Sequence, residues 1–287
     1  MPNRYKTAAA FRQALQERLK GVAAQRRIPL NTLRLNVTIE RLLARLFASP
    51  NPPWLLKGGY AMELRYRPHA RATTDVDLSV SSAAAVKDRI LQIREHLQEA
   101  ASRDLADFFV FRIGAAYSEL QGAPMGGARF PVDALVAGKR FAQFHVDVGI
   151  GDALTGEPER LAGDDVLGFA GITPATVRAV PKAQQFAEKL HALTFPWSDR
   201  PNTRTKDLVD LILLMAREQL ELAEVRDAVR RTFETRGTHA VPQEIPLPPD
   251  AWTKEFAAMA EETAIDERDL LVAHRRLVEF WTRVWPG

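Results

Sequence analysis

Acidic side chains recur at strand spacing in two places. In Thr74-Asp75-Val76-Asp77-Leu78-Ser79-Val80, a two-residue period sends Val76, Leu78 and Val80 to one face and Asp75, Asp77 and Ser79 to the other. Phe144-His145-Val146-Asp147-Val148-Gly149-Ile150 repeats the pattern, with Asp147 projecting opposite Phe144, Val146, Val148 and Ile150. If the two strands are neighbours, three carboxylates converge. Like charges at such range drive at least one pKa upward unless a divalent cation neutralises them, and oxygen-only ligands suit Mg²⁺ or Mn²⁺ better than zinc. The plainer account of Asp-x-Asp taken singly is a solvated outer face on a half-exposed strand.

The segment upstream weighs against that plainer account. Leu55-Leu56-Lys57-Gly58-Gly59-Tyr60-Ala61-Met62-Glu63-Leu64 is a strand that breaks at paired glycines into a helix. Glycines there leave backbone N–H groups free to approach a phosphate at the positive end of the helix dipole, although Gly-Gly also serves as a simple tight turn. Other chemistries find no motif: the chain lacks Gly-x-Ser-x-Gly, the Walker phosphate loop and His-Glu-x-x-His, and Gly149-Ile150-Gly151 lacks the third glycine of a dinucleotide fingerprint. With no cysteine, disulfides, thiolate zinc sites and a Cys nucleophile are excluded.

The elements that must carry these residues follow from periodicity. Residues 5–27 and 30–48 have helical spacing and end at Asn51-Pro52-Pro53. Short β-like runs follow at Trp54–Lys57, Val76–Val80, Phe108–Ile113, Phe130–Val136 and Phe144–Ile150, with a helix over Ala83–Ala101. Beyond Pro181 the pattern is helical near 182–194, 204–217, 221–234, 251–262 and 266–284, interrupted by the proline-rich connector Gly237–Pro249. The chain of 287 residues is thus expected to be α+β, with an N-terminal helical segment over 1–50, a mixed-sheet core over 51–175 and a helical domain over 176–287 closing one wall of a cleft. Lys plus Arg is 39 against 36 acids, so any nucleic-acid contact must be local. No stretch approaches the roughly 18 apolar residues of a membrane span. A cytoplasmic protein is expected.

Lys57, Gly58, Gly59, Ala61, Met62 and Leu64, followed by Arg71, Thr73, Asp75 and Asp77, resemble the pattern K-G-G-x-A-h-x-L then R-x-[ST]-x-D-h-D of the AbiEii/AbiGii (MenT-like) toxin family. That family lies within the DNA polymerase β-type nucleotidyltransferase superfamily. Lys189-Leu190-His191-Ala192 and Asp207-Leu208-Val209-Asp210 are similar to its later motifs, and the likeness runs from about Tyr5 to Trp285.

The resemblance implies a polymerase β-like core and transfer of a nucleoside monophosphate from an NTP to an acceptor hydroxyl, such as the 3′ end of tRNA, beside a partner antitoxin. Asp75, Asp77 and Asp147 would then hold the metal, with Lys189 and Asp210 joining them as catalytic positions. Lys57, Gly58, Gly59, Arg71, Thr73 and Lys189 would bind nucleotide. A phosphate placed on Thr73 by an antitoxin would repel substrate and compete for metal.

Local alternatives remain beside these roles. Lys189 sits in an apolar stripe with Phe186 and Leu193, where it wants an anion or snorkels to water. Read as a phosphate ligand, it should be replaceable by Ala with the melting curve nearly intact. Lys206 and Asp210 have the spacing of an intrahelical ion pair. Arg65, Arg67, His69 and Arg71 form a basic knot that suits polyphosphate, RNA or solvent. Two other functions fit the same motifs: a nucleotide-binding interaction protein without catalysis, and a nucleotidyltransferase that modifies a small molecule or a protein.

Overall fold

The computed structural model describes residues 4–80, 89–120, 122–197 and 201–286. The chain forms two compact units, each drawn from several stretches of sequence. The first comprises Met1–Leu56, Ala72–Gly151 and Arg160–Ala179, and the second Lys57–Arg71, Asp152–Glu159 and Val180–Gly287.

In the first unit, α1 (Ala8–Arg26) starts where the Thr7 hydroxyl accepts a hydrogen bond from the Ala10 amide, and it buries Phe11, Leu15 and Leu19. It is followed by α2 (Leu30–Leu46), whose buried face carries Leu33, Val37, Leu42 and Leu46. Both ranges match the helical spacing read from the sequence. The strands are β1 (Trp54–Lys57), β2 (Asp75–Val80), β3 (Phe109–Ile113), β4 (Ser118–Glu119), β5 (Gly127–Val136), β6 (Lys139–Ile150), β7 (Glu159–Ala162) and β8 (Thr176–Ala179). They form one mixed sheet in the order β3-β5-β6-β2-β1-β8-β7, with β4 pairing on β5. β2 and β6 run parallel, whereas β5 and β6 run antiparallel. The apolar sides of the central strands, including Val76, Leu78, Phe130, Val132, Val146 and Val148, are buried, with α2 packed on β6 and β8.

The sheet has more strands than the five runs marked by the sequence. β4, β7 and β8 are too short to show alternation, and β6 begins at Lys139 rather than Phe144 because Ala137 and Gly138 close a two-residue turn, with φ of 53° and 71°. Lys139–Gln143 is polar and outlies the apolar run. The helix expected over Ala83–Ala101 is α4 (Arg89–Ala101) where described, and residues 83–88 lie outside the described residues.

Asp107 is fully buried between two arginines of α2. Arg45 donates to both its oxygens at 2.6 and 2.9 Å, and Arg41 donates through Nε at 2.7 Å. Burial alone would raise the carboxyl pKa, but the Arg45 and Arg41 guanidinium groups reverse this and hold it below the usual range.

The second unit is built on α3 (Gly58–Tyr66), α5 (Lys182–Leu193), α6 (Thr205–Arg217), α7 (Leu222–Arg236), α8 (Thr253–Glu262) and α9 (Leu270–Val284). Its core joins Met62 and Tyr66 of α3 to Phe186, Leu190, Leu211, Phe233, Phe256, Leu277 and Trp281. Asp269 caps α9 by accepting from the Leu271 and Val272 amides, each at 2.9 Å. No helix among the described residues is long and apolar enough to cross a membrane. Asp107→Ala would leave Arg41 and Arg45 buried without their carboxylate. Urea unfolding should register a loss of about 3–5 kcal/mol, and a loss under 1 kcal/mol would contradict this account.

Candidate active site

The register of the sheet settles where the three aspartates lie. Parallel pairing of β2 with β6 sets Asp75 opposite His145, Asp77 opposite Asp147 and Ser79 opposite Gly149. Antiparallel pairing of β5 with β6 sets Arg129 opposite Asp147 and Pro131 opposite His145. One cross-strand row therefore reads Arg129, Asp147, Asp77, and the next reads Pro131, His145, Asp75, all on the face opposite the apolar core. This is the convergence of Asp75, Asp77 and Asp147 expected from their two-residue spacing.

A cation already stands in that row. Arg129 donates from Nε to Asp147 Oδ1 at 2.7 Å and from NH2 to Asp147 Oδ2 at 2.6 Å, a bidentate pair, and its NH2 lies 3.9 Å from Asp75 Oδ2. His145 Nδ1 is 3.4 Å from Asp75 Oδ1, and the Tyr117 ring meets the His145 ring edge-on at 5.5 Å. Asp147 is 7% exposed, whereas Asp75 and Asp77 are half-buried. Among the described residues, no three His, Asp or Glu side chains form a preformed metal cage. The donor set is nonetheless all oxygen on two adjoining strands, with one carboxylate occupied by a guanidinium, and it suits a hard divalent cation. Arg129 lies outside the apolar run Phe130–Val136 that marks its strand in the sequence, whereas the strand itself begins at Gly127. The alternation Ala128, Phe130, Val132 extends one step further and would have placed Arg129 on the acidic face.

The remaining motif residues belong to the second unit, apart from Thr73, which is half-buried in the first. Gly58 opens α3 with φ +65°, a left-handed conformation that strains any residue with a Cβ, and the Gln185 amide donates to its carbonyl at 3.0 Å. Gly59 is buried beside it. Lys57 is paired by its ammonium with Asp152 and lies 3.9 Å from Glu188, while Arg236 reaches the same two acids at 3.2 and 3.6 Å. Burial alone would lower the Lys57 pKa, but Glu188 and Asp152 more than offset it. Asp152, Glu188 and Arg236 carry no motif signal in the sequence.

Lys189 is buried, as its apolar stripe implied, and it meets two anions of its own chain: Asp207 Oδ1 at 2.9 Å and Asp210 Oδ2 at 2.7 Å. Arg71 completes the cluster with a bidentate pair on Asp210 at 3.1 and 2.9 Å. Burial would raise the Asp210 pKa, but Lys189 and Arg71 reverse this, and Lys189 is held above the ordinary lysine value against its own burial. Asp210 thus faces inward to Lys189 and Arg71, while Lys206 is exposed, so the alternative of a Lys206–Asp210 pair fails. The basic knot is also divided: Arg65 pairs with Glu159, Arg67 with Glu63 and Arg71 with Asp210.

His191 is buried and neutral. Its Nε2 lies 2.8 Å from the Thr238 hydroxyl, and Arg236 NH1 approaches Nδ1 at 3.4 Å. A guanidinium can only donate, so Nδ1 is the lone-pair nitrogen and the proton sits on Nε2. Burial first, then Arg236 and His239, push the imidazole pKa down to about 3.

A family model described as "Nucleotidyl transferase AbiEii toxin, Type IV TA system" matches residues 41–282. Among solved structures, the chain is similar to MenT4, a nucleotidyltransferase toxin from Mycobacterium tuberculosis H37Rv, with a TM-score of 0.54 and 18% identity over 95% of this chain and 97% of that one. It is also similar to JHP933 from Helicobacter pylori, with a TM-score of 0.46 and 12% identity over 88% of this chain and 91% of that one. No curated protein matches the chain in sequence.

The paired geometry revises one expectation. Lys189→Ala removes a cation from two buried carboxylates, so the melting curve should not stay intact; urea unfolding should show a loss of about 3–5 kcal/mol. For His191, the folded pKa lies below the unfolded value, so the unfolded state takes up the proton first. Its stability contribution is complete above about pH 6.5 and is lost as pH falls toward 3. His191→Gln should therefore show a smaller fall in Tm between pH 7 and pH 5 than the wild type; equal falls would contradict the neutral assignment.

Proposed function

Because the chain belongs to the AbiEii family of nucleotidyltransferase toxins, we propose that it moves a nucleoside monophosphate from an NTP onto the 3′-terminal hydroxyl of an RNA, with tRNA the preferred acceptor. The acceptor oxygen forms a bond to the α-phosphorus, the α–β bridging bond breaks and pyrophosphate leaves. The observation that carries this reading is the cross-strand register of Asp75, Asp77 and Asp147 on one sheet face. Asp75 and Asp77 hold divalent ions, Mg²⁺ or Mn²⁺, and Asp147 adds a ligand and takes the hydroxyl proton. When bound, such ions neutralise the triphosphate and lower the pKa of the acceptor hydroxyl. The protein's remaining task is positioning and electrostatic stabilisation.

The motif positions Lys57, Gly58, Gly59, Arg71, Thr73 and Lys189 are assigned to NTP binding. Asp210 is a positioning residue in this scheme, since one carboxylate fixes both the Lys189 ammonium and the Arg71 guanidinium. Two donor groups held in a fixed geometry lose less freedom when a phosphate arrives. The type IV toxin–antitoxin description of the family supports a cognate antitoxin as partner and growth arrest as the outcome, in the cytoplasm where NTPs and RNA are found.

The test is incubation with Mg²⁺, each labelled NTP in turn and total RNA, comparing the native protein with Asp75→Ala and Asp77→Ala. Label should join RNA 3′ ends from a preferred NTP, and each substitution should cost at least about a hundredfold in rate, as loss of a principal electrostatic group does. NTP binding with no labelled acceptor would return the protein to a nucleotide-binding module. Label on a protein or small molecule would overturn the acceptor assignment alone.

A further inference from the structure

Arg129 has no place in the motif that defines the family resemblance, yet it makes the closest contacts on the acidic face. Its position is fixed by pairing: β5 sets it directly opposite Asp147, in line with Asp77 on the far side of β6. Its two bonds to Asp147 engage both carboxylate oxygens, and its third approach is toward Asp75. A guanidinium remains charged at any working pH, so this row carries a permanent positive charge.

Two further features decide what that charge does. Both Asp147 oxygens accept from Arg129, so a cation that takes Asp147 as ligand must compete with the guanidinium for it. The Arg129 side chain is 33% exposed, so releasing Asp147 returns the guanidinium to water rather than stranding a buried charge. Burial has a different consequence at Arg45, whose side chain is 1% exposed against Asp107 and has no such exit.

We propose that Arg129 is the resident cation of the acidic face, a positioning residue that holds Asp147 when no metal is bound and gives it up to a divalent ion. The exchange makes metal binding weaker than the three carboxylates alone would allow. It also keeps the Asp147 carboxylate compensated before substrate arrives. This inference rests on the metal-binding role proposed above for Asp75, Asp77 and Asp147.

The experiment measures Mn²⁺ binding without nucleotide, by the electron paramagnetic resonance signal of the free ion, on the full chain. Removing the competing guanidinium should tighten Mn²⁺ binding by up to about fivefold in Arg129→Ala, the scale of one partly exposed ion pair. Arg129→Lys, which keeps the charge but loses the bidentate fork, should fall between Arg129→Ala and the wild type. In an Asp147→Asn background, Arg129→Ala should bring no gain, since the competition is for that carboxylate. Arg129→Ala should also gain more in Tm from added Mn²⁺ than the wild type does. Equal or weaker Mn²⁺ binding in both Arg129 variants, with wild-type binding abolished by Asp77→Ala, would overturn the inference while leaving the metal site in place. Mn²⁺ binding that is absent in every protein, or unaffected by Asp77→Ala, would overturn the metal reading itself together with this one.

Discussion

Carboxylates set side by side on one face of a sheet repel, and the design of the first unit's acidic face turns on how that repulsion is met. Strand pairing alone fixes Asp75, Asp77 and Asp147 near one another, because a two-residue period leaves no other side for them once the valines turn inward. What strand pairing also supplies is Arg129, delivered by β5 to the same row. Other ionic clusters are buried and closely matched: Asp107 between Arg41 and Arg45, Lys189 and Arg71 against Asp207 and Asp210, Lys57 and Arg236 against Asp152 and Glu188. Such clusters gain from staying closed, since opening one strands a charge away from water. The acidic face is more open, with the Arg129 side chain 33% exposed beside Asp147.

Membership of the AbiEii family and the fold shared with a mycobacterial toxin fit this picture from different directions. At 18% identity the structural likeness speaks to architecture only. Chemistry has to be argued from the site, because one fold hosts many reactions. Nucleotidyl transfer asks little of a protein in covalent terms and much in electrostatic ones. The acidic face of the first unit and the Lys189–Arg71–Asp210 cluster of the second each carry fixed charge of the kind such chemistry uses.

Much of this was legible in the sequence, and the gaps have physical causes. The Asp-x-Asp strand and the Asp147 strand declared themselves because both alternate cleanly, and the helices did so because their apolar stripes are long. Lys189 was recognisable as buried from Phe186 and Leu193. Asp210 was marked by its likeness to a family motif, whereas the pairing of Asp207 with Lys189 was not, because ion pairing across 18 residues leaves no local pattern. Arg129 and Asp152 were missed for different reasons. Arg129 lies one residue before the apolar run Phe130–Val136, within reach of its alternation, and Asp152 lies just beyond the end of β6, where alternation gives no guidance. The strands β7 and β8, of four residues each, gain their identity from the sheet that receives them rather than from their own composition.

The interleaved path of the chain has a consequence for how the molecule comes into being. Residues 57–71 belong to the second unit, although most of that unit is encoded more than a hundred codons later. Met62 and Tyr66 must wait at the ribosome's exit for Leu211, Phe256 and Trp281 before the core they share can close. A fragment cut at residue 180 would start life without those two side chains. The second unit is therefore a product of the whole translated chain, and a domain swap drawn along the linear sequence would sever it.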